Sequence, residues 1–495
     1  TPFTDFLSAT ASNGFLYIDS DGAGGNDGDG LEIITKATLN TPIDLSGEPK
    51  VVLTFSHNYR WWQDTRGVRV SGDGGVNWTT YQLTCGANDP GNCIGCGAND
   101  NYPNLPDSEN PEITKLDISS VAGNQSNVLI EFYYQDNDFW AWYWVVDDVK
   151  ISRKDNNNIE NQAAWIWQET HYGAEYGRTP ITQVGQNWVV GAQVSNDGVN
   201  AQNNVTVNAD FGTFFSTTTI SLLEPDSSKS VESTEALTLA VGQYQGTYTV
   251  ESDSDNINGP NFSDNTNDRN FEITTDIFSL DGIGNHPAGT EILGSLGSNS
   301  FTGVEDGLIC ATMYPFINND TINSVRALIT SATVANSEVM LFIIDSLSFT
   351  NGLFGNNSIF ISDLYTVTTQ DVANGYIEIP VGNVSSNGQL FESLAITPGN
   401  YYFGLELTSG GGTNNIGIID DETIGQPGFS SAIWYPNDPD NVGYYSNGVA
   451  FAIRLNLGDN TVPNTTGIIE NNNTISIYPN PSNGEFNIAS SSNEL

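Results

Sequence analysis

The chain has 495 residues, with 14 Lys+Arg against 59 Asp+Glu and a formal net charge of −45. A field of that sign repels nucleic acid and anionic lipid, so no polyanionic partner is expected; it strains the folded state by self-repulsion unless cations gather on it, with acidity for solubility alone as the alternative explanation. The length asks for several hydrophobic cores rather than one, and no apolar run approaches the roughly 18 residues of a membrane-crossing helix, so no transmembrane segment is expected. Short stretches rich in Val, Ile, Thr, Tyr and Phe, separated by Asn/Asp/Gly clusters, predict an all-β chain of tandem β-sandwiches.

Residues 1–153 make the first expected unit. The opening Thr1-Pro2-Phe3 has no basic and apolar leader, so any export signal is expected to have been removed. Next, Asp19-Ser20-Asp21-Gly22-Ala23-Gly24-Gly25-Asn26-Asp27-Gly28-Asp29-Gly30 crowds carboxylates among glycines. Their repulsion is best relieved by a hard cation with oxygen ligands, so a structural calcium is the expected cofactor, with Asp19, Asp21 and Asp29 as candidate ligands; a solvated, metal-free turn is the alternative. Ala23 stands where an EF-hand needs a ligand, and Gly-Gly-x-Gly-x-Asp occurs imperfectly and once, so neither motif is met.

Trp61-Trp62 and the Trp140, Trp142, Trp144 series give this unit the aromatic weight with which β-sandwiches stack sugar rings, and all five are candidate ligand contacts, with burial as the alternative. Cys85, Cys93 and Cys96 share a Gly/Asn-rich loop in which one disulfide could close a short ring, which suits an oxidising compartment; a zinc site would lack a fourth local ligand. Strict alternation along Tyr143, Val145, Asp147, Val149 and Ile151 puts those residues on one face, expected to be the core. An aspartate there needs a cation or strong donors, so Asp147, with Asp148, is expected to share a calcium with Asp19 and Asp21.

After a polar linker from Lys154 to Gln162, residues 163–275 predict an immunoglobulin-like sandwich, with strands at Trp188–Val194, Val205–Val207 and Gly246–Val250. Asp253, Asp255, Asn256, Asn258, Asp264 and Asp268 lie in the loop before its last strand. A second calcium could sit there, but a long polar loop is the simpler expectation. Residues 276–458 predict a second jelly roll, with strands at Val339–Ile344, Tyr376–Ile379, Tyr401–Leu407 and Val449–Leu455 and a buried thiol at Cys310; Asp420-Asp421-Glu422 invites the same reserve about metal. An Asn-rich linker, 459–473, leads to a last β-pattern at 474–495.

That last segment, Ile475-Ser476-Ile477-Tyr478-Pro479-Asn480-Pro481-Ser482-Asn483-Gly484-Glu485-Phe486-Asn487-Ile488, reads as strand, rigid turn, strand. It resembles the start of the carboxyl-terminal sorting domain of the type IX secretion system, through Tyr478, Pro479, Asn480, Pro481, Gly484 and Phe486. The resemblance implies a protein of Bacteroidota type, secreted or displayed on the outer cell surface, with the type IX machinery as a partner. The first unit resembles MAM-like jelly-roll modules, which carry a Val-Asp-Asp-Val strand near their end and often a structural calcium; the second resembles CARDB-type adhesion modules. Ser71-Gly72-Asp73-Gly74-Gly75-Val76-Asn77-Trp78 looks like the Asp-box of sialidases, which implies a structural hairpin turn.

No catalytic constellation is found. His57, His171 and His286 are far apart, His-Glu-x-x-His and Gly-x-Ser-x-Gly do not occur, and no phosphate-binding or dinucleotide fingerprint is present. A two-carboxylate glycosidase remains compatible with so acidic a chain. The expected function is a calcium-stabilised, non-catalytic adhesion or binding protein contacting glycans or proteins. The alternatives are the accessory region of a larger exported hydrolase, peptidase or glycosidase, and a self-assembling surface filament.

Overall fold

The computed structural model describes residues 6–24, 30, 32–60, 64–83, 110–138, 143–256, 262–301, 306–384, 390–435, 443–458, 476–478 and 487–489. The chain is all-β and divides into two compact units, residues 1–158 with 197–201, and residues 159–196 with 202–495.

In the first unit the strands are β1 (Leu16–Asp19), β2 (Ile34–Thr38), β3 (Val51–Arg60), β4 (Thr65–Ser71), β5 (Thr79–Gln82), β6 (Glu112–Asp117), β7 (Leu129–Gln135) and β8 (Tyr143–Arg153). They form two four-stranded sheets, β1-β8-β3-β6 and β2-β7-β4-β5, the strand order of a jelly roll with its interlocked Greek keys. Leu53, Phe55, Val68, Val70, Ile130, Trp144 and Val146 build the core between the sheets. The hairpin from β4 to β5 is the Asp-box: Asp73 Oδ1 accepts from the amides of Val76 (3.0 Å) and Asn77 (2.9 Å), and Trp78 Nε1 donates to Gly75 O at 3.0 Å. These donors, first those of Asn77, hold the Asp73 carboxyl down at about 2.

Strict alternation fails along β8. Trp144 and Val146 enter the main core, whereas Tyr143 and Val145 pack on the other face against Phe6, and Val149 is exposed. The cause is a β-bulge. Thr54 pairs with Lys150 and Ser56 with Asp147, so two residues of β3 are matched by three of β8, and Asp148 takes φ 51°. The extra residue inverts the facing of everything beyond it, and Ile151 thereby reaches the core side that Trp144 occupies before the bulge.

The second unit begins with an immunoglobulin-like sandwich built from β9 (Ile159–Gln168), β10 (Arg178–Pro180), β11 (Asn187–Asn196), β12 (Gln202–Asp210), β13 (Phe215–Leu223), β14 (Ser227–Ala236), β15 (Gly242–Glu251) and β16 (Thr266–Thr274). Its sheets run β14-β11-β9 and β10-β16-β15-β12-β13, with β10 parallel to β16. Period-two alternation holds here: Trp188, Val190, Ala192 and Val194 of β11 face Val205, Val207, Tyr248 and Val250 in one core.

In the following sandwich, Leu293–Gly297, Gly417–Asp421 and Ala450–Phe451 form one run of strands, while Ile453–Leu457 continues to Asp320–Leu328, which pairs with both Tyr376–Pro380 and Leu390–Ile396. Opposite them lie Ser431–Trp434, Asp306–Phe316, Gly399–Thr408, Glu338–Asp345 and Ser358–Ile361, again in jelly-roll order. Cys310 is a free, buried thiol in this core, as the sequence suggests. Ala174 and Tyr176, which precede β10, also belong to this core, so the two sandwiches of the second unit share apolar side chains. A short antiparallel pair, Ser476–Tyr478 with Asn487–Ala489, closes the described chain.

Candidate functional site

The acid-rich end of the first jelly roll is assembled by three strand termini. β1 ends on Asp19, whose Oδ1 accepts from the Gly22 amide at 2.9 Å and whose Oδ2 accepts from the Tyr17 hydroxyl at 3.0 Å. A Cβ at position 22 would stand 2.6 Å from Asp19 Oδ2 and would have to push that carboxylate aside. β7 is followed by Asp136-Asn137-Asp138, with Asn137 and Asp138 both at positive φ. Asp136, fully buried, accepts from Ser20 Oγ (3.0 Å), the Ile33 amide (2.9 Å) and the Asp138 amide (3.1 Å). Asp138 Oδ1 accepts from the Gly30 amide at 2.9 Å. The turn after β7 thus ties down both ends of the Gly/Asp loop, near Ser20 and near Gly30 to Ile33.

Beneath this turn, at the start of β4, the Arg66 guanidinium pairs with Asp64 at 2.7 Å, both side chains being almost wholly buried, and stacks on the Tyr59 ring at 3.4 Å. The buried Tyr134 hydroxyl has no hydrogen-bond partner. Burial first, then the charges of Asp64, Asp136 and Asp19 against that of Arg66, push its phenol far up. The Tyr134 phenol, kept protonated, can only donate here, so at this end a hard cation would be held by the carboxylates of Asp19 and Asp136. Among the described residues, no three His, Cys, Asp or Glu side chains form a ready metal cage.

The residues expected to share one calcium are separated. Asp19 pairs with Tyr143 across β1 and β8, which leaves Asp147 four residues away, about 13 Å along the strand. Asp147 Oδ2 instead accepts from Ser8 Oγ (2.6 Å) and Thr10 Oγ1 (3.0 Å), and Asp148 from Thr10 Oγ1 (2.7 Å), the Ala9 amide (3.2 Å) and Ser56 Oγ (3.3 Å). Desolvation would raise the Asp147 carboxyl, but these donors, Ser8 foremost, hold it below the ordinary range. The Asp147-Asp148 bulge therefore clasps the amino-terminal segment. The aspartate that joins Asp19's end of the sandwich is Asp136, and its only sequence signal is the Asp-Asn-Asp turn after an alternating strand.

Trp144, a candidate sugar contact, is fully buried. Its ring packs edge-on to Phe132 at 5.8 Å, and its Nε1 donates to His57 Nδ1 at 3.2 Å, so it offers no face to a ligand. Asp29, Trp61, Trp62, Trp140, Trp142, Cys85, Cys93, Cys96, Pro479, Asn480, Pro481, Gly484 and Phe486 lie outside the described residues, as does the side chain of Asp21.

A second polar cluster lies in the second unit, where its two sandwiches meet. Glu175 Oε2 accepts from the Ile166 amide at 3.0 Å and stands 3.9 Å from Arg269 Nε, while the Gln426 amide clamps the Glu175 backbone, donating to its carbonyl (3.1 Å) and accepting from its N–H (3.2 Å). Burial raises the Glu175 carboxyl to about 7. Across the same cavity His286 Nε2 meets Asp421 Oδ2 at 2.6 Å. The cavity of about 10 Å³ has the room of a single water and not of a sugar. Behind it Arg454 grips Asp281, both buried, and Gly177 lies so close to Asp281 that a Cβ would fall 2.3 Å from its carbonyl oxygen. Asp420, next to Asp421, is raised to about 7 by burial and the nearby Glu422.

No protein-family profile matches the chain and no curated protein matches it. Among solved structures, it is similar to a GH2 β-galacturonidase from Eisenbergiella tayi bound to glycerol, at 9% identity over 56% of this chain and 38% of that one, with a TM-score of 0.24. An exo-chitosanase from Amycolatopsis orientalis matches at 12% identity over 54% of this chain and 26% of that one, TM-score 0.25. A calcium-binding mutant of β-glucuronidase 2 from Bacteroides uniformis matches at 9% identity over 50% and 28%, TM-score 0.25. The chain thus spans well under half the length of each of these structures.

Proposed function

We propose that this chain is a non-catalytic, calcium-stabilised array of β-sandwiches that works outside the cell, exported by the type IX system and contacting glycans or proteins at the surface. The observation that carries the reading is the carboxyl-terminal hairpin. Ser476–Tyr478 and Asn487–Ala489 pair antiparallel, Tyr478 opposite Asn487, and this pairing supports the strand, turn, strand reading on which the sorting resemblance rests. The calcium part rests on Asp136 and Asp138 gathering both ends of the acidic loop.

The export reading is tested in the producing cell. Replacing Tyr478 and Pro479 by alanine should leave the protein in the periplasm, whereas the unaltered protein is found on the surface or in the medium; an unchanged distribution refutes it. The same immunoblot reports the mass of the native polypeptide, and a band well above 53.4 kDa would make this chain the accessory region of a larger exported protein. Binding is tested on a glycan array and by surface-protein pull-down, each with and without chelator, and the absence of any ligand in both removes the adhesion reading.

A further inference from the structure

One end of the immunoglobulin-like sandwich buries two amide oxygens that accept nothing. Asn265 is fully buried and Asn161 is 5% exposed. Their orientation is fixed by their own donors: Asn265 Nδ2 donates to Val250 O at 2.9 Å, and Asn161 Nδ2 to Tyr248 O at 3.3 Å. Turning either amide end for end would set oxygen against carbonyl oxygen, so both Oδ1 atoms point where they are placed, and neither meets a hydrogen-bond donor. The two anchoring carbonyls are two residues apart on β15, about 7 Å, which makes the amides neighbours.

Two acids lie on the chain segments that carry them. Asp264 directly precedes Asn265 and ends the short helix Phe262–Asp264, which packs on β9, the strand that carries Asn161. Asp255 is 3% exposed, and its Oδ2 accepts from the Ile159 amide at 2.8 Å, two residues from Asn161. Two other acids expected in this loop point to different partners: Asp253 Oδ2 accepts from Asn204, while Asp268 lies not in the loop but within β16, where its Oδ1 accepts from Thr247. The set is therefore all oxygen, two neutral amides and two carboxylates. A buried water could satisfy the amides but gives no reason for carboxylates to collect beside them, whereas a hard divalent cation takes both kinds of oxygen. We infer that Asn161 and Asn265, with Asp255 and Asp264 supplying charge, form a binding site for a divalent cation of the calcium class.

The test is peptide-resolved hydrogen exchange on the full chain, stripped with chelator and then titrated with calcium chloride. Saturating calcium should slow exchange at least about tenfold in the peptides covering 248–251 and 262–267, a readout that cations bound in the first unit do not move; unchanged exchange there overturns the site. Asn161→Asp keeps the shape and adds charge, at the cost of the Nδ2 donor to Tyr248 O. It should lower the calcium concentration for half-protection about tenfold and leave the calcium-free protein less protected than the parent. If it loosens these peptides equally with and without calcium, a water fills the place and the inference fails.

Discussion

Replacing Glu175 by glutamine should make the second unit more stable in mild alkali and remove part of its pH dependence. Glu175 sits between two sandwiches with one strong donor, the Ile166 amide, and Arg269 only at 3.9 Å, so the folded protein holds its proton up to about pH 7, against 4.5 for an ordinary glutamate. A group whose carboxyl is raised on folding contributes stability that is complete below 4.5 and disappears as pH climbs through 7. At 1.36 kcal/mol per unit the gap corresponds to about 3 kcal/mol. Its side chain is 14% exposed, which makes that figure a ceiling. Glutamine keeps an acceptor for Ile166 and never ionises. Scanning calorimetry of parent and Glu175→Gln at pH 5 and pH 8.5 should show transitions of the second unit that nearly coincide at pH 5 and differ by about 2–3 kcal/mol, several degrees in Tm, at pH 8.5. Asp420 titrates in the same range in both proteins, so the difference isolates Glu175. Parallel pH profiles would show that this carboxylate is charged when folded and refute the reasoning.

Gly177→Ala should destabilise the second unit by about 3 kcal/mol, the upper end for overpacking, because the added Cβ meets the Asp281 carbonyl at 2.3 Å and neither partner is a flexible side-chain tip; urea unfolding followed by tryptophan fluorescence checks it. Trp144→Ala should cost about 3–5 kcal/mol by opening the first core, while leaving any glycan affinity of the folded fraction unchanged. Alanine at both Asp147 and Asp148 should speed hydrogen exchange in residues 6–15 without affecting β4 or β7. The parent should show the same loosening on acidification, since a carboxyl held below its ordinary value, as Asp147 is, contributes stability above that value and loses it as pH falls through the folded one.

Turn residues and apolar periodicity made the strands legible, and β11 shows why: Trp188, Val190, Ala192 and Val194 alternate without interruption into one core. The same rule misled at β8, because a bulge leaves no periodic trace beforehand, and one extra residue at Asp147-Asp148 put Trp144 on the same side as Ile151, where strict alternation sets them opposite. The Asp-box-like turn was legible because its chemistry is local, the hydrogen-bond donors to the Asp73 carboxylate, Ser71, Val76 and Asn77, all lying within four residues. Asp136 was not, since its partners Ser20 and Ile33 are more than a hundred residues distant and meet it only when β1, β2 and β7 reach the same end of the jelly roll. The Glu175 cluster was hidden for the same reason, assembled from chain segments as far apart as Glu175 and Gln426.

The charge imbalance acquires a structural meaning from where the cations sit. Arg66, Arg178 and Arg454 are buried, spent on Asp64, Glu272 and Asp281, while Arg69, Arg326 and Lys154 are committed to Glu131, Glu378 and Asp117. With only 14 Lys+Arg in the chain, such pairs neutralise interior and half-buried carboxylates and leave the acids of the surface loops to solution ions. Diffuse screening by monovalent salt lowers that repulsion gradually and at every loop alike. It cannot satisfy the unpaired amide oxygens of Asn161 and Asn265, which are buried in the immunoglobulin-like sandwich. Those two atoms, and not the net charge, mark the place proposed here for a bound cation.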